Sequence, residues 1–108
     1  MGANASCSLV DNVHDLKEIL RVEDSVIALF YASWCPFSQR FLPIFQKHVG
    51  KEGRHFVMVQ NDQESMADQY SLKVYPTVLF FEKGIVLKRL DGVLGFGLEE
   101  KQFIEWMS

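Results

Sequence analysis

The sequence predicts a single α/β domain in which helices cover both faces of a mixed central β-sheet of about four strands. Strand-like and helix-like segments alternate along most of the chain, which is typical of a sheet with parallel neighbours. Two strands then follow each other across a very short turn, and such strands must pair antiparallel. The 108 residues and the 48% hydrophobic content suit one globular domain with its own core.

The first half of the chain supplies two predicted helices and one predicted strand. Residues 11–20 place their apolar side chains on one helical face, with Asp11 as the candidate N-cap. Residues 25–31 form a near-continuous apolar run, which is typical of a strand buried on both faces of a sheet. The next helical pattern extends to Val49 and contains Pro43, which is expected to kink it.

The second half of the chain completes the predicted sheet. Its strands are short apolar runs bounded by turn residues, and they span residues 56–59, 77–81 and 85–90. Asp62 is the candidate cap of a short helix that reaches Tyr70. An amphipathic helix over residues 98–107 closes the chain. The side chains that we expect to face inward from it are Phe103, Ile104 and Met107.

Charge and composition exclude several classes of function. A net charge of -3 without a long basic run argues against a nucleic-acid partner. Two cysteines and three scattered histidines form neither a disulfide scaffold nor a zinc-ligand set, so we expect no metal site. The histidines, which we expect at the surface, are His14, His48 and His55. The longest charge-free run, residues 25–39, is too short to span a bilayer, so we expect no membrane partner. We also expect the protein to be a monomer.

The chain divides into an expected flexible tail, residues 1–8, and an expected domain, residues 9–108. The tail lacks the basic start and apolar core of a signal peptide, which favours the cytoplasm. If the chain is a domain excised from a longer protein, a lumenal or extracytoplasmic location becomes the expectation. Cys7 lies in this tail, where we expect an exposed thiol that emerges on another side of the fold from Cys35.

The residues that can carry chemistry lie between the first predicted strand and the second predicted helix. Cys35 opens that helix, and the partial positive charge and unpaired N–H groups of a helix N-terminus stabilise a thiolate. Pro36 suits the first turn because its missing N–H would have no partner there. Trp34 offers a flat apolar surface beside the sulfur. This pattern predicts a reactive Cys35, and an inert buried cysteine remains the alternative.

The segment Phe30–Ser38, with the sequence FYASWCPFS, resembles the active-site segment of the thioredoxin superfamily. The sequence of this segment is most similar to the protein disulfide isomerase branch and to adenylylsulfate-reductase-like thioredoxin domains. Three further features fall in register with the family: Pro43 in the second helix, the segment Val74–Thr77, and the hairpin Phe81–Gly84 with the later Gly92. The resemblance covers residues 9–107 and implies the thioredoxin fold.

The resemblance also implies the parts of a substrate site. The Tyr75–Pro76 peptide bond is expected to be cis, and the loop before it is expected to hold an extended substrate strand. The catalytic residues that the resemblance implies are Cys35 and Ser38. The substrate-binding residues that it implies, around a shallow apolar groove, are Trp34, Pro36, Phe37, Tyr75, Pro76 and Thr77.

Two departures from the family pattern point to a single-thiol site. The family's usual second cysteine is replaced by Ser38, whose hydroxyl can donate a hydrogen bond to the Cys35 thiolate. Leu29 stands where the family usually carries a buried acid that exchanges protons with that second cysteine. The two losses together indicate that Ser38 is native. Without a second thiol, a mixed disulfide on Cys35 cannot be resolved within the site.

Three hypotheses about function follow. The first is thiol–disulfide exchange through Cys35, with protein or peptide thiols and disulfides as partners, glutathione as a candidate regenerating thiol, and no cofactor. The second is a redox-inactive module that binds peptides or proteins in the groove. The third is a monothiol glutaredoxin-like binder of glutathione or an iron–sulfur cluster, because Cys-Pro-Phe-Ser resembles glutaredoxin sites. The glycine pair and Asp with which glutaredoxins hold glutathione are missing after Pro76, which counts against the third.

Overall fold

The computed structural model describes residues 7–108, apart from the side chain of Glu52, and it contains a five-stranded mixed sheet with helices on both faces. The strands are β1 Cys7–Val10, β2 Ser25–Tyr31, β3 His55–Gln60, β4 Thr77–Glu82 and β5 Ile85–Asp91. The helices are α1 Val13–Val22, α2 Pro36–Lys47, α3 Ala67–Tyr70 and α4 Glu100–Met107. The spatial order is β1-β3-β2-β4-β5, in which β1, β3 and β2 are parallel and β4 and β5 are antiparallel to their neighbours. The predicted α/β architecture is therefore confirmed, with five strands in place of about four.

The additional strand is β1, at one edge of the sheet. Cys7 and Ser8, which were expected in the tail, pair in parallel with β3, and residues 1–6 of that tail lie outside the described residues. Leu9 and Val10 are too short an apolar pattern to indicate a strand, and Leu9 is exposed. The strand forms because its backbone pairs with β3, and the buried side chain of Val10 joins the core on the side of α1.

The central strand β2 divides the core into two clusters, because successive side chains of a strand point to opposite faces. Val26, Ala28 and Phe30 pack on the side of α1 and α3. Ile27, Leu29 and Tyr31 pack on the side of α2 and α4. All six are buried, as the continuous apolar run predicted. Since β2 ends in Tyr31, the chain leaves this rigid centre only four residues before Cys35.

The helix boundaries differ from the predicted ones by a few residues. Asn12, rather than Asp11, caps α1, because its Oδ1 accepts a hydrogen bond from the Asp15 N–H at 2.8 Å. Pro43 lies inside α2, which ends at Lys47 instead of Val49. The start of α4 also differs from the predicted one, because the helix begins at Glu100, after a capping box.

The core between α2 and α4 contains a histidine that was expected at the surface. His48 is buried, and its Nε2 lies 2.9 Å from Glu100 Oε2, so it joins the end of α2 to the start of α4. Hydrogen bonds from Lys47 and His48 hold the pKa of the Glu100 carboxyl below its ordinary value. The prediction for Ile104 is also wrong, since it is 43% exposed while Phe103 and Met107 are buried.

Candidate active site

Cys35 lies at the junction between β2 and α2. It is the N-cap of α2 with an extended backbone, and Pro36 occupies the first helical position, as predicted. The residue is 9% exposed, and its thiol lies 3.8 Å from the carbonyl oxygen of Tyr75, to which it donates. The sulfur therefore lies between the start of a twelve-residue helix, where backbone N–H groups are unpaired, and the loop that precedes β4.

The loop opposite Cys35 is held in one shape from both ends. The Tyr75–Pro76 peptide bond is cis in this structure, and Pro76 is buried. Thr77 is fully buried and its hydroxyl donates to the Val74 carbonyl oxygen at 2.9 Å, so its side chain supports the loop and does not line an exposed groove as predicted. The Tyr75 hydroxyl accepts a hydrogen bond from the Asn61 amide at 3.1 Å.

Ser38 lies in the first turn of α2, and its side chain faces the interior. It is fully buried, and its Oγ accepts a hydrogen bond from the Ala32 N–H at 3.2 Å. This bond ties the first turn of α2 to the end of β2, and it leaves the hydroxyl hydrogen available to another acceptor. Leu29 is fully buried in the α2–α4 core, so an apolar side chain fills the position of the family's acid.

Trp34 is positioned by Asp62, a residue whose role the sequence did not indicate. Trp34 is 58% exposed, and its Nε1 donates to the Asp62 carbonyl oxygen at 3.0 Å. Its ring centre lies 6.1 Å from that of Tyr75, with the two rings nearly perpendicular. The Asp62 carboxylate accepts hydrogen bonds from the N–H and the hydroxyl of Ser33, both at 2.6 Å, and from Gln60 at 2.8 Å. Asp62 thus fixes the two residues before Cys35 and caps no helix.

A topological signal could have indicated this contact. The carboxyl ends of parallel neighbouring strands meet at the same edge of a sheet, and β2 and β3 are parallel neighbours. Ser33 follows the end of β2 by two residues, and Asp62 follows the end of β3 by two residues. The helix-cap prediction failed because α3 begins only at Ala67.

We expect the pKa of Asp62 to depend on Ser33. The Ser33 hydroxyl, the Ser33 N–H and Gln60 stabilise the carboxylate, which lowers the pKa of Asp62 below its ordinary value. Their contribution to stability is present above the ordinary carboxyl pKa and is lost as the pH falls through the lowered one. Ser33→Ala should therefore move the carboxyl titration of Asp62, followed by NMR, to higher pH. Ser65→Ala is the control. The Ser65 hydroxyl donates to Asn61, so its removal should leave the titration of Asp62 unchanged.

Phe37 follows Cys35 by two residues. It is half-buried in the first turn of α2, and the Arg40 guanidinium lies 5.5 Å from the centre of its ring. Of the predicted site residues, the structure thus brings Trp34, Phe37 and Tyr75 to the surface around Cys35. Pro36 is exposed beside them, whereas Ser38, Pro76 and Thr77 lie beneath this surface.

Cys7, the other thiol of the sequence, is distant from this site. Cys7 is in register with Phe56, which is in register with Ile27, whereas Cys35 lies beyond the other end of β2, after Tyr31. Four residues of strand span about 13 Å. A disulfide needs Cα atoms within about 7 Å, so Cys7 and Cys35 cannot pair in this fold. Partial burial in β1 also raises the pKa of the Cys7 thiol, which disfavours its thiolate.

Within residues 7–108 the structure offers neither a metal-binding cluster nor a membrane-spanning helix. Across this range, no three His, Cys, Asp or Glu side chains are grouped so that they could hold a metal ion. Over the same residues, no helix combines the length and the apolar composition that crossing a membrane requires.

A mixed sheet that carries a cysteine at the start of α2, opposite a cis-proline loop, defines a class of protein. The chain belongs to the thioredoxin family, whose model matches residues 8–107. The thioredoxin fold that the resemblance implied is therefore confirmed. In solved structures, a mutant thioredoxin from Halobacterium salinarum superposes with a TM-score of 0.78 at 20% identity, covering 96% of this chain and 91% of that one. A thioredoxin from Malassezia sympodialis gives 0.80 at 18% identity, over 97% and 90%.

The curated relatives include proteins much longer than this chain. Protein disulfide-isomerase A5 of Bos taurus is 31% identical over 105 residues, which are 92% of this chain and 20% of that protein. Endoplasmic reticulum resident protein 44 of Mus musculus is 36% identical over 84 residues, 69% of this chain and 21% of that protein. Thioredoxin of Mycoplasmoides gallisepticum is 33% identical over 89 residues, 81% of this chain and 86% of that protein. The chain thus spans about a fifth of the length of the first two relatives.

Proposed function

We propose that this protein carries out thiol–disulfide exchange through Cys35 as its single active-site thiol, and that it forms mixed disulfides with protein or peptide partners. The observation that carries the proposal is the place of the sulfur, at the N-terminus of α2 and 3.8 Å from the Tyr75 carbonyl oxygen. The membership of the thioredoxin family and the names of its relatives support the same chemistry.

The exchange proceeds by attack of the Cys35 thiolate on one sulfur of a substrate disulfide. A bond forms between Cys35 and that sulfur, the substrate S–S bond breaks, and the departing thiolate takes up a proton from water. No net oxidation occurs, because one disulfide replaces another. Since position 38 carries a hydroxyl and Cys7 is remote, a second thiol from solution, such as glutathione, must attack the mixed disulfide to regenerate Cys35.

The loop before Pro76 and the exposed aromatic rings would hold the substrate. An extended segment that lies along Val74–Tyr75 can form backbone hydrogen bonds with it, which is a form of strand addition. The Tyr75 carbonyl oxygen accepts the thiol hydrogen in the resting state. Once Cys35 is a thiolate, this oxygen is free to accept a substrate N–H. Trp34, directly before Cys35, and Phe37, two residues after it, would then supply apolar contacts.

A redox-inactive binding module is the second candidate, because one observation favours it. Cys35 is 9% exposed and its thiol is already engaged with Tyr75, which describes a buried structural cysteine as well as a resting nucleophile. In that case the groove would bind peptides, and the chemistry of residue 35 would be irrelevant to binding. The two candidates therefore differ in whether removal of one sulfur atom changes the activity.

We expect Cys35→Ser to abolish exchange, and Cys7→Ser to preserve it. Wild type and Cys7→Ser should each form one glutathione adduct with glutathione disulfide, detected by mass, and should turn over a disulfide peptide in excess glutathione. Cys35→Ser should react at least about a hundredfold more slowly in both assays. Peptide binding that survives Cys35→Ser, together with no adduct on the wild type, would establish the binding module instead.

A further inference from the structure

Asn61 is a buried polar residue that directly follows β3, at the end of the sheet where β2 leads to Cys35. Only 2% of Asn61 is exposed. Its N–H donates to the Tyr31 carbonyl oxygen at 2.8 Å, and its own carbonyl oxygen accepts the Glu64 N–H at 2.9 Å. The backbone of Asn61 is therefore fixed to the last residue of β2, and its side chain starts from a rigid position.

The side-chain amide of Asn61 joins two loops. Its Oδ1 accepts hydrogen bonds from the Met66 N–H at 3.2 Å and from the Ser65 hydroxyl at 3.4 Å. Because a backbone N–H can only donate, the atom that faces Met66 must be the oxygen, and the amide nitrogen therefore faces Tyr75. That nitrogen donates to the Tyr75 hydroxyl oxygen at 3.1 Å. The amide thus connects the turn after β3 to the loop before β4.

Tyr75 is the residue of that loop whose backbone faces the Cys35 thiol. Its carbonyl oxygen lies 3.8 Å from the Cys35 sulfur. Residues 71–76 belong to no strand or helix, so no regular ladder of backbone hydrogen bonds fixes the direction of this carbonyl. The bond from Asn61 holds the far end of the Tyr75 side chain. It is therefore placed to limit rotation of the residue, and with it the direction in which the carbonyl oxygen points.

We propose that Asn61 is a positioning residue for exchange with polypeptide substrates, because through the Tyr75 hydroxyl it holds the Tyr75 carbonyl oxygen where an extended substrate strand can bond to it. The inference rests on the proposed exchange through Cys35 and deepens it, by naming a residue that favours polypeptide disulfides over small ones. Asn61 is buried, so it acts through Tyr75 and does not contact the substrate. Reaction with a small disulfide, which offers no strand, should not depend on it.

The test compares two disulfides that share one leaving group. The first is a short alanine-rich peptide with a central cysteine linked to thionitrobenzoate, and the second is N-acetylcysteine amide with the same link. The Cys35 thiolate attacks the cysteine sulfur, a new disulfide forms, and the coloured thionitrobenzoate thiolate departs, so both reactions are followed by absorbance. The ratio of the two rate constants measures what the backbone around the cysteine contributes.

The wild type should react at least about tenfold faster with the peptide than with the small disulfide, because only the peptide can add a strand to the loop. Tyr75→Phe keeps the ring and removes the hydroxyl, so the ratio should fall about threefold, the effect expected from the loss of one hydrogen bond. Asn61→Ala should lower it by the same factor. The double variant should show no further fall, since both changes remove the same bond.

Two variants that spare this hydrogen bond are the matched controls. Tyr70→Phe removes a phenol hydroxyl from a ring that packs against Phe30 and Phe81 in the core. Ser65→Ala removes the hydroxyl that donates to the oxygen of the same Asn61 amide. Both should keep the wild-type ratio. Each ratio is internal to one variant, so a general loss of reactivity or of stability does not imitate the effect.

Asn61→Asp tests the same bond by reversing it. An aspartate keeps an oxygen for the Met66 N–H and presents a second oxygen to Tyr75, to which the hydroxyl can donate. The wild-type ratio should therefore survive Asn61→Asp and fall about threefold in Asn61→Asp/Tyr75→Phe. This pair replaces Asn61→Ala if urea unfolding shows that the alanine variant does not fold, and Tyr75→Phe alone decides if neither Asn61 variant folds.

Several outcomes would overturn the positioning role and leave the exchange function intact. One is a wild type that reacts with both disulfides at the same rate. Others are a Tyr75→Phe variant that keeps the wild-type ratio, a double variant whose loss is the product of the single losses, and a control variant that loses the preference. A Cys35 that reacts with neither disulfide overturns the proposed function, and this inference with it.

Discussion

Ser38→Cys is expected to turn the single-thiol site into one that closes an internal disulfide with Cys35 and, with a dithiol reductant to reopen that disulfide, reduces insulin at least about tenfold faster than the wild type. Residues three apart are neighbours on a helix, and position 38 lies in the first turn of α2, one turn after Cys35. A second thiol there would attack the mixed disulfide and release the substrate, a step that the proposed mechanism assigns, in the wild type, to a thiol from solution. Mass spectrometry after alkylation detects the bridge.

Two further variants separate the new thiol from the loss of the old hydroxyl. Ser38→Ala loses the hydrogen bond with the Ala32 N–H, which costs about 1 kcal/mol, and should gain no turnover. Adding Leu29→Asp to Ser38→Cys should raise the rate further by supplying an acid, although an unpaired buried carboxyl destabilises the fold by a few kcal/mol. If Ser38→Cys forms no bridge, or if the wild type already turns over like a two-thiol enzyme, the single-thiol mechanism is wrong.

Phe103→Ala is expected to lower the free energy of unfolding by about 3–5 kcal/mol, as large-to-small changes of buried aromatic residues do. Phe103 is fully buried, and its ring centre lies 5.4 Å from that of Phe41, 5.6 Å from Phe45 and 5.6 Å from His48. Its removal leaves a cavity between α2 and α4 that the sheet cannot collapse to fill. Urea unfolding followed by circular dichroism measures the loss.

The control for this change is Ile104→Ala on the same helix. Ile104 is 43% exposed, so its truncation should cost less than about 1 kcal/mol. If Phe103→Ala and Ile104→Ala lower the free energy of unfolding equally, the packing between α2 and α4 does not depend mainly on Phe103.

The predictable part of the fold is the part that side-chain patterning determines. The run from Ser25 to Tyr31 could be recognised because both of its faces are buried, and the hairpin of β4 and β5 because its turn is short. β1 could not, since it is a four-residue edge strand in which only Val10 is buried, and most of its support is backbone pairing with β3. Ile104 was misplaced because the helical pattern limits which face is apolar but not how far the neighbouring elements cover it.

The candidate site was predictable where the chemistry lies within one segment. Cys35, Trp34 and Pro36 are adjacent in the sequence, and the strand-to-helix junction brings them together at one end of the sheet. Asp62 and His48 depend on contacts between elements, namely Asp62 with Ser33 across the end of the sheet and His48 with Glu100 across two helices. A polar side chain that has such a distant partner looks in the sequence like any solvated one.

The central position of β2 has a consequence for how the site can change over time. Its backbone is bonded to β3 on one side and β4 on the other, so its amide hydrogens should exchange with solvent only when the whole sheet opens. Residues 93–97 bond largely to one another, through the Val93 carbonyl oxygen, so their amide hydrogens should exchange faster than those of β2. Cys35 therefore follows the strand whose amide hydrogens should exchange most slowly, and the sulfur is anchored to the last part of the sheet to open.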